Sequence, residues 1–138
     1  NRRTAGGRRD YAVILLLARL GLRAGEVARL TLDDLRWTAG EIVIRGKGSE
    51  SRLPLPQDVG QALVAYLRVR GRGPTRRLVL RVRAPQGGLS VPGIGAIVAA
   101  ACRRAQVAPL GPHRLRHAAA TAMLRRPIRQ GPHYGSTE

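Results

Sequence analysis

The stretch from Pro109 to Leu124, P-L-G-P-H-R-L-R-H-A-A-A-T-A-M-L, constrains this chain more than any other. It opens with a Pro/Gly turn and sets His113, Arg114, Arg116 and His117 within five residues. It then runs into small and apolar side chains. Pro112 suits the first turn of a helix, where its missing N–H costs nothing, and residues 118–124 read as a buried helical run. A helix starting near His113 sets His113 and Arg116 at i and i+3, on one face. An imidazole beside a guanidinium at a helix N-terminus suits an anion, because free N–H groups and the dipole add to the side-chain charges. Taken alone, H-x-x-R also fits an ordinary basic helix start with a satisfied histidine, so the rest of the chain must decide.

The charge balance narrows the partners. The 138 residues carry 25 Lys+Arg against 8 Asp+Glu, a net charge of +17. Self-repulsion on that scale favours a polyanion, nucleic acid first and an anionic membrane second. The apolar run Tyr11–Leu17 is far too short to span a bilayer, and no secretory signal pattern precedes it. The length suits one domain with a real core. The single cysteine, Cys102, sits in V-A-A-A-C and reads as a small core residue in a reducing cytoplasm. No Cys/His spacing suggests a metal. Lys47 is the only lysine, every other basic residue being arginine. In such a background a lysine marks a position where an ammonium, able to give up its proton, serves better than a guanidinium.

Read in order, residues 1–9 form an Arg/Gly-rich basic lead-in. A helix is expected from Asp10, with Tyr11, Ile14, Leu15, Ala18 and Leu22 at helical spacing and Gly21 as its stop. Val27 and Leu30 then resume the period, so Arg23 falls at a joint between two helices. Glu26, three residues on, is placed to orient a nearby arginine. T-L-D-D-L from Thr31 reads as a short turn or cap. Glu41–Arg45 and Arg52–Leu55 alternate as strands of a β-hairpin, with Gly46 and Gly48 permitting the turn and Lys47 at its tip side. Pro56 starts a helix with a Val59, Leu63 and Leu67 stripe that ends before Gly71. Residues 71–77 are a basic loop, Leu78–Val82 a candidate third strand and Ala84–Gly88 a turn. Ser90 is the expected N-cap of an alanine-rich helix through Ala105. There is no internal repeat.

Three of these segments, in order, resemble the catalytic domain of the tyrosine recombinases, the phage-integrase family. They are G-L-R-A-G-E-V-A-R-L, I-V-I-R-G-K-G-S-E-S-R-L-P-L-P and G-P-H-R-L-R-H-A-A-A-T-A-M-L. The resemblance covers residues 10–125 and implies an α+β fold, mainly helical, with a small antiparallel sheet at one edge. It also implies the chemistry. A tyrosine hydroxyl attacks a DNA phosphodiester, leaving a 3′-phosphotyrosine and a free 5′-hydroxyl, with no cofactor or metal required. Arg23 and Arg116 match the family's two arginines, whose planar donors suit the non-bridging oxygens. His113 matches its histidine, and Lys47 the hairpin lysine that serves as general acid. His117 reads as a packing or supporting residue, as does Glu26. Arg45, Arg52, Arg72, Arg76 and Arg77 are candidates for DNA backbone contacts. The implied partners are duplex DNA and other recombinase protomers on it, with no membrane, in the cytoplasm or on the nucleoid.

The end of the chain departs from that pattern. The family continues through a helix, an L-G-H motif and a final helix bearing the nucleophile, whereas residues 125–138 read R-R-P-I-R-Q-G-P-H-Y-G-S-T-E. Pro127, Gly131-Pro132 and Gly135 predict an irregular tail over 126–138, as though a truncation or frameshift had replaced the usual end. The family's separate N-terminal helical domain has no counterpart either. Of the tyrosines, Tyr11 and Tyr66 fall on helices, and Tyr134 alone is C-terminal. The expectation is a recombinase catalytic domain whose activity is in doubt, with Tyr134 or a partner's tyrosine as nucleophile. A non-catalytic DNA-binding remnant and a type IB topoisomerase-like domain are the alternatives.

Overall fold

The first helix shows how local and distant forces share the work. The computed structural model describes residues 3–115. Within it α1 spans Ala5–Leu20, five residues further toward the N-terminus than periodicity alone predicts. Thr4 caps it, its hydroxyl accepting from the Gly7 N–H at 2.9 Å. Two arginines of the expected lead-in reach out of the new first turns: Arg8 donates to the Ala65 carbonyl at 3.0 Å and Arg9 to the Leu80 carbonyl at 3.2 Å. The cap and these long-range bonds offset the helix-weakening Gly6 and Gly7. At the other end Gly21 adopts φ 68°, the left-handed stop the sequence announces.

The buried face of α1 is Ala12, Val13, Leu16 and Leu17, one step round from the expected stripe. Tyr11, Ile14, Leu15 and Ala18 are half-buried. The reason is that α1 packs on three neighbours: α2 (Ala24–Arg29), α3 (Gln57–Arg70) and α4 (Val91–Ala105). A helix enclosed on several sides has no single stripe. The contribution of α3 to the core is Val59, Ala62, Leu63 and Tyr66, and that of α4 is Ile94, Ile97, Val98 and Cys102. Ser90 caps α4 as expected, accepting from the Gly93 N–H. Cys102 is a buried free thiol in that core.

Between α2 and α3 the chain makes a 3-10 turn (Leu32–Asp34) and a three-stranded antiparallel sheet in the order β1-β2-β3. β1 is Leu35–Arg36, β2 Glu41–Gly46 and β3 Ser49–Pro54. β2 and β3 form the expected hairpin, with Ile42 opposite Leu53 and Gly46 opposite Ser49. Of its two glycines only Gly48 needs its freedom, at φ 67°, whereas Gly46 ends a strand.

The third strand expected at Leu78–Val82 does not form, and β1 takes the third place in the sheet. Leu78 and Val79 are buried, whereas Val82 at the end of the run is exposed. The run is held by single pairings instead: Thr31 with Arg77 and Leu80 with Gly88. The Leu78 N–H donates to the Leu30 carbonyl at 2.8 Å, and the Leu32 N–H to the Arg76 carbonyl at 2.9 Å. The segment is thus a strap along the exit of α2. After α4, residues 112–115 are helical, and the Leu115 N–H donates to the Gly111 carbonyl at 3.1 Å. Pro112 therefore occupies the first helical position, as its missing N–H allows.

Candidate active site

Arg23 stands where a short, stiff joint leaves it no freedom at the backbone. Gly21 ends α1, Leu22 is buried at 2% exposure, and Arg23 is the N-cap of α2 at φ −81°, ψ 152°. Glu26 fixes the cap: its Oε1 accepts from the Arg23 N–H at 2.8 Å, the carboxylate half of a capping box. Glu26 thus orients Arg23 through its main chain and leaves the guanidinium alone. That guanidinium is exposed and has no hydrogen-bond or ion-pair partner among the described residues.

Lys47 occupies the two-residue connection between β2 and β3 with Gly48, exposed and equally without a partner among the described residues. The base of its hairpin is anchored by a residue that sequence reasoning passed over. Asp34, 1% exposed, accepts from the Thr31 N–H at 2.9 Å with one oxygen and from Arg45 Nε at 3.1 Å with the other. A buried carboxylate needs such partners, and here they tie β2 to the turn after α2. The T-x-x-D spacing of Thr31 and Asp34 was the available signal, a capping-box variant inside what reads as a simple turn.

His113 is exposed on the helical turn that begins at Pro112. Arg116, His117 and Tyr134 lie outside the described residues. α2 opens at Arg23 and packs on both β2, which runs into Lys47, and α4, whose chain continues to His113. The fold thus sets Arg23 at the start of a helix in contact with the strand before Lys47 and with the helix that precedes the turn bearing His113. Its remaining tyrosines have structural duties. Tyr66 is 3% exposed, and its phenol oxygen accepts from the Leu80 N–H at 3.0 Å. Burial raises its pKa above the ordinary 10.0, with the Leu80 bond and the nearby Arg70 and Arg9 opposing that rise. At 3% exposure that hydroxyl is closed off from a phosphate. Tyr11 is half-buried against the core.

The carboxylates are almost fully employed. All eight acidic residues except Glu138 lie among the described ones, and each is engaged. Asp10 pairs with Arg9, Asp58 with Arg19, Asp33 with Arg76 and Glu41 with Arg52. Asp34 and Glu50 share Arg45, and Glu26 takes the Arg23 N–H. Of the five arginines expected on a DNA backbone, Arg45, Arg52 and Arg76 thus carry carboxylate partners. Arg77 donates to the Ala28 carbonyl at 3.2 Å, and Arg72 has no partner among the described residues. Among those residues no group of His, Cys, Asp and Glu could hold a metal ion, and no helix is long and apolar enough to cross a membrane.

Comparison with known proteins shows a family and a fold. Residues 2–130 match the Phage integrase family. The chain is 50% identical over 129 residues to y4rA of Sinorhizobium fredii, an integrase/recombinase-type protein, covering 91% of this chain and 32% of that one. It is 36% identical over 118 residues to the tyrosine recombinase XerC of Pseudomonas putida, covering 85% of this chain and 40% of XerC. It thus spans about a third of y4rA and two fifths of XerC. The XerA recombinase crystal structure superposes with a TM-score of 0.77 at 25% identity, over 87% of this chain and 43% of that one. The XerH recombinase bound to its difH substrate in a pre-cleavage complex shares the fold, with a TM-score of 0.72 at 22% identity over 88% of this chain and 37% of XerH.

Proposed function

The chain belongs to the phage integrase family of tyrosine recombinases, and from that premise we propose that it is a DNA strand-transfer domain that grips a scissile phosphate with Arg23. The observation that carries this reading is the state of Arg23. Its backbone is fixed by Glu26 at a rigid joint, while its guanidinium stays exposed and without a partner among the described residues, whose other carboxylates all have partners of their own. Such a group has no carboxylate to leave before it meets an anion.

In the proposed step Arg23 and Arg116 hold the two non-bridging oxygens. A tyrosine oxygen attacks phosphorus, and the bond from phosphorus to the 5′ oxygen breaks. Lys47 gives its proton to that leaving oxygen, and His113 takes the proton that the attacking tyrosine hydroxyl loses. Lys47 suits the task because an ammonium can release a proton at accessible pH, whereas a guanidinium cannot. Tyr134 or a tyrosine of a neighbouring protomer supplies the nucleophile, since Tyr66 is locked to Leu80. Binding itself rests on the net +17 charge and should weaken steeply with salt.

A nicked suicide duplex, scored for a covalent protein–DNA adduct on a denaturing gel, tests the reading. Wild type should form the adduct. Arg23→Ala and Lys47→Ala should abolish it while leaving bulk DNA affinity nearly unchanged. Loss of the adduct in Tyr134→Phe assigns the nucleophile to this chain's tail, and its survival assigns it to another tyrosine. DNA binding with no adduct under any condition would overturn strand transfer in favour of a non-catalytic DNA-binding domain.

A further inference from the structure

A cleft of about 450 Å³ opens between α2, the strap at Thr75–Arg77 and the residues leading into α4. Arg29 and Arg77 both line it, with Thr75, Gly25 and Gly88 around them and no carboxylate. Each arginine is seated on a glycine. Arg29 folds back one turn along α2, and a Cβ on Gly25 would lie 3.3 Å from its terminal NH2 nitrogen. The stem of Arg77 lies over Gly88, where an added Cβ would come within 3.0 Å of its Cγ.

The backbone of Arg77 is fixed as well. Its N–H donates to the Thr75 hydroxyl at 3.1 Å, its carbonyl accepts from Arg70, and one of its guanidinium nitrogens donates to the Ala28 carbonyl. The Thr75 hydroxyl, already accepting, keeps its own proton to donate. Arg29 has no hydrogen-bond or ion-pair partner among the described residues. Two guanidinium groups lining one cleft repel each other until an anion sits between them, and planar donors of this kind match phosphate oxygens.

We infer that this cleft is a second phosphate site, in which Arg29, the free edge of Arg77 and the Thr75 hydroxyl hold a backbone phosphate of duplex DNA away from the cleaved bond. The inference rests on the reading that the chain engages duplex DNA. It adds Arg29 to the binding residues and gives Gly25 and Gly88 a role in seating the two cations.

The test is fluorescence anisotropy of a labelled duplex at a series of salt concentrations, using the full chain. Arg29→Ala should weaken binding several-fold and lower the salt slope by about one phosphate's worth. Arg29 holds nothing in place, so its loss leaves the fold intact. Gly88→Ala should act in the same direction with the charge unchanged, because it displaces Arg77. Arg103→Ala, at the exposed end of α4, removes the same charge elsewhere and should cost less. Equal losses for Arg29→Ala and Arg103→Ala would overturn the site in favour of diffuse charge. Inorganic phosphate that raises the melting temperature of wild type and not of Arg29→Ala, with DNA affinity the same in both, would assign the cleft to a free phosphate and overturn the DNA contact. Wild type failing to bind duplex at all would overturn the DNA reading itself, an outcome distinct from failure of the cleft alone.

Discussion

The α1–α3 pair and the strap at residues 75–80 lie against each other, yet they are held by different means. α1 and α3 pack together, and between them they bury Val13, Leu16, Leu17, Val59 and Leu63 completely. The strap buries Leu78 and Val79 as well, but beside its main-chain bonds to Leu30, Leu32 and Leu89 its backbone is held by side-chain hydrogen bonds from elsewhere in the chain. Arg70 alone donates to the carbonyls of Gly71, Thr75, Arg77 and Leu78. Tyr66 accepts from the Leu80 N–H, and Arg9 donates to the Leu80 carbonyl. Apolar contact is non-directional and sums with area, whereas a charged hydrogen bond fixes one carbonyl in one place. The first kind of holding sets stability, and the second sets where Arg76 and Arg77 point.

The difference can be tested from its strong side first. Leu63→Ala should cost about 2–5 kcal/mol, the range for emptying a fully buried leucine site, and urea denaturation measures it directly. Arg70→Ala should cost less, about 1.5–3 kcal/mol for charged hydrogen bonds lost, with its effect confined to the strap. Hydrogen exchange should then show lost protection at the Leu32 and Leu78 amides, which pair with Arg76 and Leu30, and unchanged protection in α1. An Arg70→Ala chain that loosens α1 as much as the strap would break the distinction.

The same division decides what the sequence could tell. Helical spacing announced α1 and α3, the Ser90 cap and an alanine-rich run announced α4, and Gly21, Gly71 and Ser90 stand where their chemistry requires. Alternation announced the β2–β3 hairpin. The run Leu78–Val82 reads as a third strand and forms none; it buries Leu78 and Val79 and leaves Val82 59% exposed. A short apolar run carries no record of whether its hydrogen bonds go to a neighbouring strand or to an arginine such as Arg70. The start of α1 was missed for a related reason, since Arg8 and Arg9 find their acceptors on residues 57 and 71 positions away. At the candidate site Arg23, Lys47 and His113 stand out in the sequence because three motifs occur in order. Asp34 was not, because its burial follows from how the turn after α2 meets β2.

Tyr66→Phe offers a finer cut through the strap. It keeps the ring and removes the acceptor of the Leu80 N–H, an expected loss of about 1 kcal/mol at neutral pH. The wild-type stability should also fall as pH rises above 10. Burial holds the folded phenol protonated beyond the ordinary 10.0, while the unfolded chain ionises there. This contribution is therefore complete below pH 10 and is lost as pH climbs toward the raised folded value. Urea midpoints for the two chains between pH 9 and 11 should converge as pH rises, and a constant gap would show that Tyr66 does not titrate differently on folding.

The smallest expected effect on stability falls on the exposed ion pair between Asp33 and Arg76, and it is informative for that reason. Arg76 donates to both Asp33 oxygens, at 2.6 Å and 3.3 Å, with both side chains well exposed at 64% and 71%. Exposed pairs contribute less than about 1 kcal/mol, and the strap beneath is already fixed by Arg70. Asp33→Asn should therefore leave the urea midpoint almost unmoved. It should nonetheless tighten DNA binding, because it removes one negative charge and frees a guanidinium that otherwise has to leave its carboxylate before meeting a phosphate. The gain should be largest at low salt and fade as screening increases. Anisotropy titrations of wild type and Asp33→Asn at two salt concentrations separate the outcomes. Equal affinity in both chains at low salt would place Arg76 off the DNA and confine its role to bracing the turn after α2.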